Sequence, residues 1–127
     1  MTRRRAFFWM LACWIALTLT LTSIPNPAWA LKVRCEDKMA HFAFYGVLAM
    51  LYALWRREGG ESARKAALGA LLFVVAFGAF DELHQRFIPG RSMEFLDWVA
   101  DVGGGLLGSL GASVIPSFLP ILSDDCA

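Results

Sequence analysis

The stretch FDELHQRFIPGRSMEFLDW, residues 80–98, gathers acidic, basic and amide side chains between two long apolar runs. The chain of 127 residues is 57% hydrophobic and only 18% charged, with a mean hydropathy of +0.52. In soluble domains about a quarter of the residues are charged. Bunched charge between long apolar runs is typical of a small integral membrane protein. The sequence has no basic stripe with interleaved aromatics, which argues against a nucleic-acid partner.

Four apolar segments, at about residues 6–24, 39–55, 66–85 and 97–115, predict an all-α fold. At ~1.5 Å per residue, a helix of about 20 residues crosses the ~30 Å hydrocarbon core of a bilayer. Short loops join the segments. We therefore expect a single domain over residues 1–127, built as an antiparallel bundle of four transmembrane helices.

A second interpretation of the N-terminus stays open. Arg3–Arg5, the apolar run and the sequence AWA ending at Ala30 also describe a secretory signal peptide. The apolar run is longer than the usual signal core of about 7–15 residues, which favours a retained first helix.

The distribution of basic residues predicts the orientation in the membrane. Loops rich in Lys and Arg stay on the cytoplasmic side of a bacterial plasma membrane. The N-terminus and the middle loop are the basic ends, and both acid-rich loops then face outward with the two termini in the cytoplasm. The basic residues concerned are Arg3, Arg4, Arg5, Arg56, Arg57, Arg64 and Lys65.

A polar pocket is predicted at the outer end of the bundle. The third apolar run ends at Phe80, too early to complete a crossing, so its helix must continue through Asp81 and Glu82. An ionised side chain facing lipid costs at least ~2.5–3.5 kcal/mol at the helix centre, so these groups should face each other. The predicted pocket comprises Asp37, Lys38, His41, Tyr45, Asp81, Glu82, Gln85, Arg91, Asp97 and Asp101.

The sequence IPGRS predicts a tight turn over this pocket. Pro89 favours the first central position of a turn, and Gly90 can adopt the positive φ that a type II turn requires at the second. We expect the turn to aim Arg91 back at the acids, since a guanidinium can bind two carboxylate oxygens at once.

Small residues recur every fourth position in the fourth segment. Gly104, Gly108 and Ala112 form a row that would let a neighbouring helix approach closely. This row predicts helix packing.

The two polar motifs resemble those of the VanZ-like membrane family. That family pairs Asp-Lys-x-x-His-x-x-x-Tyr with Asp-Glu-x-x-Gln-x-x-x-Pro-Gly-Arg, followed by an Asp and a Gly-rich helix. The chain has EDKMAHFAFYGVL at residues 36–48 and DELHQRFIPGRSMEFLDWVADVGGGLLG at residues 81–108, and its SIPNP after the first helix is also similar. It departs at Asp101, where the family usually has Asn. The resemblance implies a four-helix membrane protein, and founding members are associated with low-level resistance to the glycopeptide teicoplanin.

Three functions remain to be compared. The leading hypothesis is an envelope-facing binding protein whose pocket holds a polar or cationic group of a membrane lipid, an envelope precursor or a glycopeptide. A second is that the polar cluster is purely structural. A third is an enzyme using His41, Glu82, His84 and Asp97 for acid–base or metal chemistry. Without a closed ligand motif, the sequence favours a protein that is not an enzyme and has no cofactor or resident metal, and it leaves the oligomeric state open.

Overall fold

The computed structural model of the protein describes residues 1–25 and 34–118. These contain four α-helices and no strands: α1 (Arg3–Thr22), α2 (Arg34–Glu58), α3 (Ala63–Gln85) and α4 (Phe95–Phe118). The all-α prediction is confirmed. Ala30, where a signal peptide would end, lies outside the described residues.

Among the described helices, three are long and apolar enough to cross a membrane: α1, α3 and Phe95–Ile115 of α4. Large apolar side chains cover their outer surfaces, and Trp9, Leu72 and Leu107 are each about 60% exposed. Such a surface requires an apolar solvent, so the protein is a membrane protein. The second helix is less apolar because it carries charged residues at both ends, together with His41 and two tyrosines.

The third helix does not stop at the end of its apolar run. Ser62 caps its start by accepting a hydrogen bond from the backbone N–H of Lys65. The helix then continues past Phe80 for more than one turn and ends at Gln85. Asp81, Glu82 and Gln85 on this added turn are all buried.

A tight turn follows α3. The backbone N–H of Arg91 donates to the carbonyl of Ile88 at 3.1 Å, and Gly90 has a φ of +75°. Pro89 and Gly90 are therefore the central residues of the turn, and the positive φ explains why glycine suits the second position.

The second helix is the centre of the bundle. It packs against α1, α3 and α4, and it buries Tyr45, Leu48, Ala49 and Ala53. Its backbone nearly touches that of α4. A Cβ added at Gly104 would overlap the carbonyl of Phe42, and one added at Gly108 would overlap the carbonyl of Gly46. Only glycine permits this approach.

Side-chain contacts identify which helix ends meet. Lys38 and Asp97 join the first turns of α2 and α4, while Thr22 and Asp81 join the last turns of α1 and α3. At the opposite end, Arg57 donates to the carbonyl of Ala112 at 2.6 Å. The acidic residues of the pocket motifs thus collect at one end of the bundle.

Candidate functional site

A closed hydrogen-bond network surrounds Asp81, which is fully buried. Its Oδ1 accepts from the hydroxyl of Thr22 at 2.7 Å. Its Oδ2 accepts from the hydroxyl of Tyr45 at 2.8 Å and from the amide of Gln85 at 3.4 Å. The donors come from α1, α2 and α3, so this carboxylate ties three helices together with both oxygens satisfied.

A second group forms around Lys38, which precedes the apolar part of α2. Its Nζ lies 2.8 Å from Oδ1 of Asp97 and 3.2 Å from Oε2 of Glu94. The hydrogen bond to Asp97 raises the pKa of Lys38 above its ordinary value. The lysine is therefore a cation, and it neutralises the buried carboxylate of Asp97.

The third group consists of His41, Glu82 and Asp101, each no more than 7% exposed. Nδ1 of His41 lies 2.7 Å from Oδ1 of Asp101 and 3.8 Å from Oε1 of Glu82. The other Glu82 oxygen accepts from the backbone N–H of Glu94 at 3.0 Å. Oε1 of Glu82 and Oδ2 of Asp101 are buried without a hydrogen-bond donor among the described residues. Within the described cluster, these two oxygens are the fully buried acceptors that lack a hydrogen bond.

Among the residues that the structure describes, two sets of side chains could hold a metal ion. His41, Glu82 and Asp101 offer ligand atoms that all lie within 4.8 Å of one another, and so do Asp37, His41 and Asp97. The first set is wholly buried, whereas Asp37 in the second is exposed. The histidine is common to both sets.

A cavity of about 160 Å³ opens beside these groups, between α1, α2 and the turn after α3. His41 and Tyr45 belong both to the cavity wall and to the buried groups. The wall combines polar and apolar side chains, which suits an amphiphilic molecule. The lining residues are Thr18, Leu21, Thr22, Asp37, Ala40, His41, Phe44, Tyr45 and Arg91.

The prediction that Arg91 turns back onto the acids is wrong. Its Nε donates to the carbonyl of Ile24 at 2.7 Å and its Nη2 to that of Leu21 at 3.1 Å. The guanidinium therefore binds one carbonyl in the last turn of α1, that of Leu21, and one just beyond the helix, that of Ile24. Arg91 therefore lines the cavity but does not neutralise a carboxylate in these contacts.

The other predicted residues divide among the three groups and the cavity wall. Tyr45, Asp81 and Gln85 form the closed network, Lys38 and Asp97 the ion pair, and Asp37 lies at the cavity. His84, considered as a metal ligand, instead lies with its Nε2 3.0 Å from the hydroxyl of Ser23.

Sequence reasoning missed three contributors. Thr18 and Thr22 lie four residues apart on α1 and both line the cavity, so their spacing was a detectable signal. Gly78 on α3 lies against the Asp101 carboxylate, where an added Cβ would come within 3.0 Å of Oδ2. Nothing in the local sequence of α3 indicates that contact.

Comparison with known proteins agrees with the motifs. No curated protein and no solved structure matches the chain. The sequence model of the VanZ/LLP1 family matches residues 7–116. This range contains both polar motifs and all four apolar segments, apart from the first residue of the earliest segment. The chain therefore belongs to the VanZ/LLP1 family.

Proposed function

We propose that the protein crosses the bacterial plasma membrane four times, as an antiparallel bundle with both termini in the cytoplasm. The contacts between helix ends support alternating directions. The ends of α1 and α3 meet, the starts of α2 and α4 meet, and Glu82 near the end of α3 lies beside His41 of α2 and the backbone of Glu94 just before α4. The 25 residues of α2 extend about 38 Å at ~1.5 Å per residue, enough for a crossing. Since three neighbours surround this helix, its buried polar residues His41 and Tyr45 contact protein instead of lipid.

The basic end of the bundle supports the orientation. Arg3 pairs with Glu58 at 3.0 Å, and Arg56 pairs with Glu61, both at the end opposite the acidic groups. This end carries the Lys/Arg excess that keeps loops in the cytoplasm. The side-chain hydrogen bond to Arg56 lowers the pKa of Glu61 in the loop, so the pair is ionised at neutral pH.

In this orientation the cavity faces outward, and we infer that it binds the polar end of an envelope lipid or a lipid-linked envelope precursor. The cavity of about 160 Å³ carries the proposal because its wall combines charged and apolar side chains. In the proposed orientation it would lie near the outer headgroups. Asp37 can accept hydrogen bonds from an amine, and the unused N–H groups of Arg91 can bind a phosphate. Leu21, Ala40 and Phe44 would contact the apolar part of the same molecule.

The family resemblance connects this proposal to a phenotype, resistance to a glycopeptide. A protein that binds an envelope precursor or the antibiotic itself at the outer surface could alter sensitivity to a glycopeptide such as teicoplanin. The binding proposal does not depend on that phenotype, since a lipid could occupy the cavity in a cell never exposed to the drug.

Two variants test the cavity by different means. Asp37→Asn removes its exposed carboxylate, and Ala40→Phe fills its volume without changing charge. The full chain would be purified in mild detergent and its co-purified lipids measured by mass spectrometry, alongside teicoplanin susceptibility and membrane abundance in cells. We expect both variants to lose a specific bound lipid while reaching the membrane at the level of the unmodified protein.

The matched control is Glu58→Gln, at the far end of the bundle, which should keep the bound lipid. Unchanged lipid binding in both cavity variants would contradict the proposal. Loss of protein from the membrane in both would instead support a structural role for these residues.

A structural role is the better proposal for one part of the cluster. Asp81 has both oxygens satisfied by protein donors from three helices, so it is not available to a ligand. The enzyme hypothesis is weakened for the same kind of reason, because Asp97 is bound to Lys38. In the described cluster, His41 and Asp101 remain the only pair in which a carboxylate orients an imidazole, as an acid–base mechanism requires.

A further inference from the structure

We propose that His41, Glu82 and Asp101 bind a divalent first-row transition-metal cation. The residues come from α2, α3 and α4, so the ion would join the three helices at the outer end of the bundle. This inference does not depend on what occupies the neighbouring cavity.

The geometry of the three side chains supports a common ion. One ligand atom from each lies within 4.8 Å of the other two, and each residue is at least nine-tenths buried. Coordinating oxygen and nitrogen atoms lie ~2.0–2.2 Å from zinc, so neighbouring ligand atoms are about 3–3.5 Å apart. The observed separations of 2.7 Å and 3.8 Å from Nδ1 of His41 bracket that spacing.

Unmet hydrogen-bonding capacity points to a ligand at the same place. Oε1 of Glu82 and Oδ2 of Asp101 have no donor among the described residues, although buried polar atoms are almost always paired. Oε1 of Glu82 is also the oxygen that points toward His41. A bound cation would satisfy it and the imidazole nitrogen together.

The charge balance of the cluster favours a cation as well. Four buried carboxylates, of Asp81, Glu82, Asp97 and Asp101, lie close together with Lys38 in an ion pair to only one of them. Arg91, which the sequence suggested as a second cation, donates to the carbonyls of Leu21 and Ile24 at and just beyond the end of α1. Carboxylates in a low-dielectric interior need a nearby positive charge. A protonated His41 would supply one charge beside Glu82 and Asp101, whereas a divalent ion supplies two.

The donor set indicates which metals fit. An imidazole with two carboxylates suits zinc, manganese or iron better than calcium, which prefers oxygen ligands alone. Three protein ligands would leave at least one coordination position for water or another molecule. The alternative set of Asp37, His41 and Asp97 is less suitable because Asp97 is already bound to Lys38.

The experiment uses Zn²⁺ as the probe and the full chain in detergent, purified without a histidine tag. All three cysteines, Cys13, Cys35 and Cys126, would be replaced by serine so that thiols cannot bind the metal. After equilibration with zinc and removal of excess, elemental analysis should find about one zinc per chain, as expected for a single three-ligand site. Zinc should also raise the melting temperature of the protein.

Two conservative variants and one control identify the ligands. Glu82→Gln and Asp101→Asn should each weaken zinc binding at least ~10-fold, since even the loss of a residue that only holds a metal ligand in place costs about 10–100-fold in metal affinity. Asp37→Asn should bind zinc as the parent protein does. Circular dichroism establishes that each variant is folded. If both ligand variants are unfolded, Co²⁺ binding to the parent protein tests the site instead. Bound Co²⁺ should give a visible absorption band, and Zn²⁺ should abolish that band by displacing the cobalt.

Three results would overturn the proposal. One is a parent protein that retains no zinc and shows no cobalt spectrum. Another is folded Glu82→Gln or Asp101→Asn protein with the parent affinity. The third is Asp37→Asn losing as much affinity as Glu82→Gln, which would assign the ion to the other set of residues.

Discussion

Nδ1 of His41 lies 2.7 Å from Oδ1 of Asp101, and this contact joins α2 to α4 inside the bundle. It depends on how closely the two backbones approach. Gly104, one turn after Asp101, lies against the carbonyl of Phe42, the residue next to His41. The glycine contact therefore sets the distance at which the imidazole and the carboxylate can meet.

Alanine at this contact should separate the two helices. In Gly104→Ala or Gly108→Ala, the new methyl group would overlap a backbone carbonyl of α2, which cannot move aside as a side chain can. Overpacking in protein interiors costs typically ~1–3 kcal/mol and occasionally more, and we expect these variants at the upper end of that range. Thermal unfolding of the purified protein in detergent measures the change.

Gly111→Ala is the matched control, because a Cβ at that position meets no atom within 4 Å. It lies on the same helix and should leave stability unchanged or slightly raised, since alanine favours helix by about 1 kcal/mol over glycine. Equal destabilisation by Gly111→Ala and Gly108→Ala would contradict the packing explanation.

The energetic coupling between His41 and Asp101 can be measured directly. Each single change to alanine should destabilise the protein by about 1–3 kcal/mol, because it leaves a buried polar partner unpaired. The double variant should lose less than the sum, with a coupling free energy of about 0.5–3 kcal/mol. Unfolding would be followed with a chelator present, so that metal binding does not contribute. Strict additivity would mean that the pair does not interact.

Much of the fold could be predicted from sequence because helix periodicity acts locally. The spacing of Asp37, His41 and Tyr45 assigns all three to one side of α2, and all three line the cavity. The short third apolar run required its helix to continue past Phe80, and α3 ends at Gln85. Both inferences use only the rise and turn of a helix.

The partners of individual side chains could not be predicted in the same way. Whether Arg91 reaches a carboxylate or the end of α1 depends on the path of the turn and on the distance between helices. Helix periodicity determines neither quantity. The same limitation hid Thr22 as the partner of Asp81, since 59 residues separate them in the chain. For the same reason, the sequence could not show which buried carboxylates have hydrogen bonds to both oxygens and which do not.

The hydroxyl of Thr22 should contribute to stability through Asp81. Thr22→Val removes the donor to Oδ1 of a fully buried carboxylate while keeping the branched shape of the side chain. Leaving a buried acceptor unsatisfied costs about 1–3 kcal/mol, more if it is charged. Thr20→Val is the control, because the exposed Thr20 hydroxyl bonds only to Ala16 in its own helix. Comparable losses in the two variants would show that the Asp81 contact contributes nothing specific.

In the proposed orientation, the turn after α3 and the loop after α2 lie on opposite sides of the membrane. Cysteines introduced into them should therefore react with reagents from opposite sides. Single cysteines would be introduced as Ser92→Cys and Glu61→Cys in the chain without native cysteines, both at positions with solvent-accessible side chains. In intact cells, a membrane-impermeant maleimide should label the cysteine at position 92 and not that at position 61.

After the membrane is permeabilised, both cysteines should react, which establishes that position 61 was protected by its location and not by its surroundings. The orientation is inferred from the Lys/Arg bias of the loops, and the buried carboxylates play no part in it. The reverse labelling pattern would therefore place the acidic cluster on the cytoplasmic side. An envelope ligand could then no longer reach the cavity from outside. The proposed zinc site would be unaffected, since it depends only on contacts within the bundle.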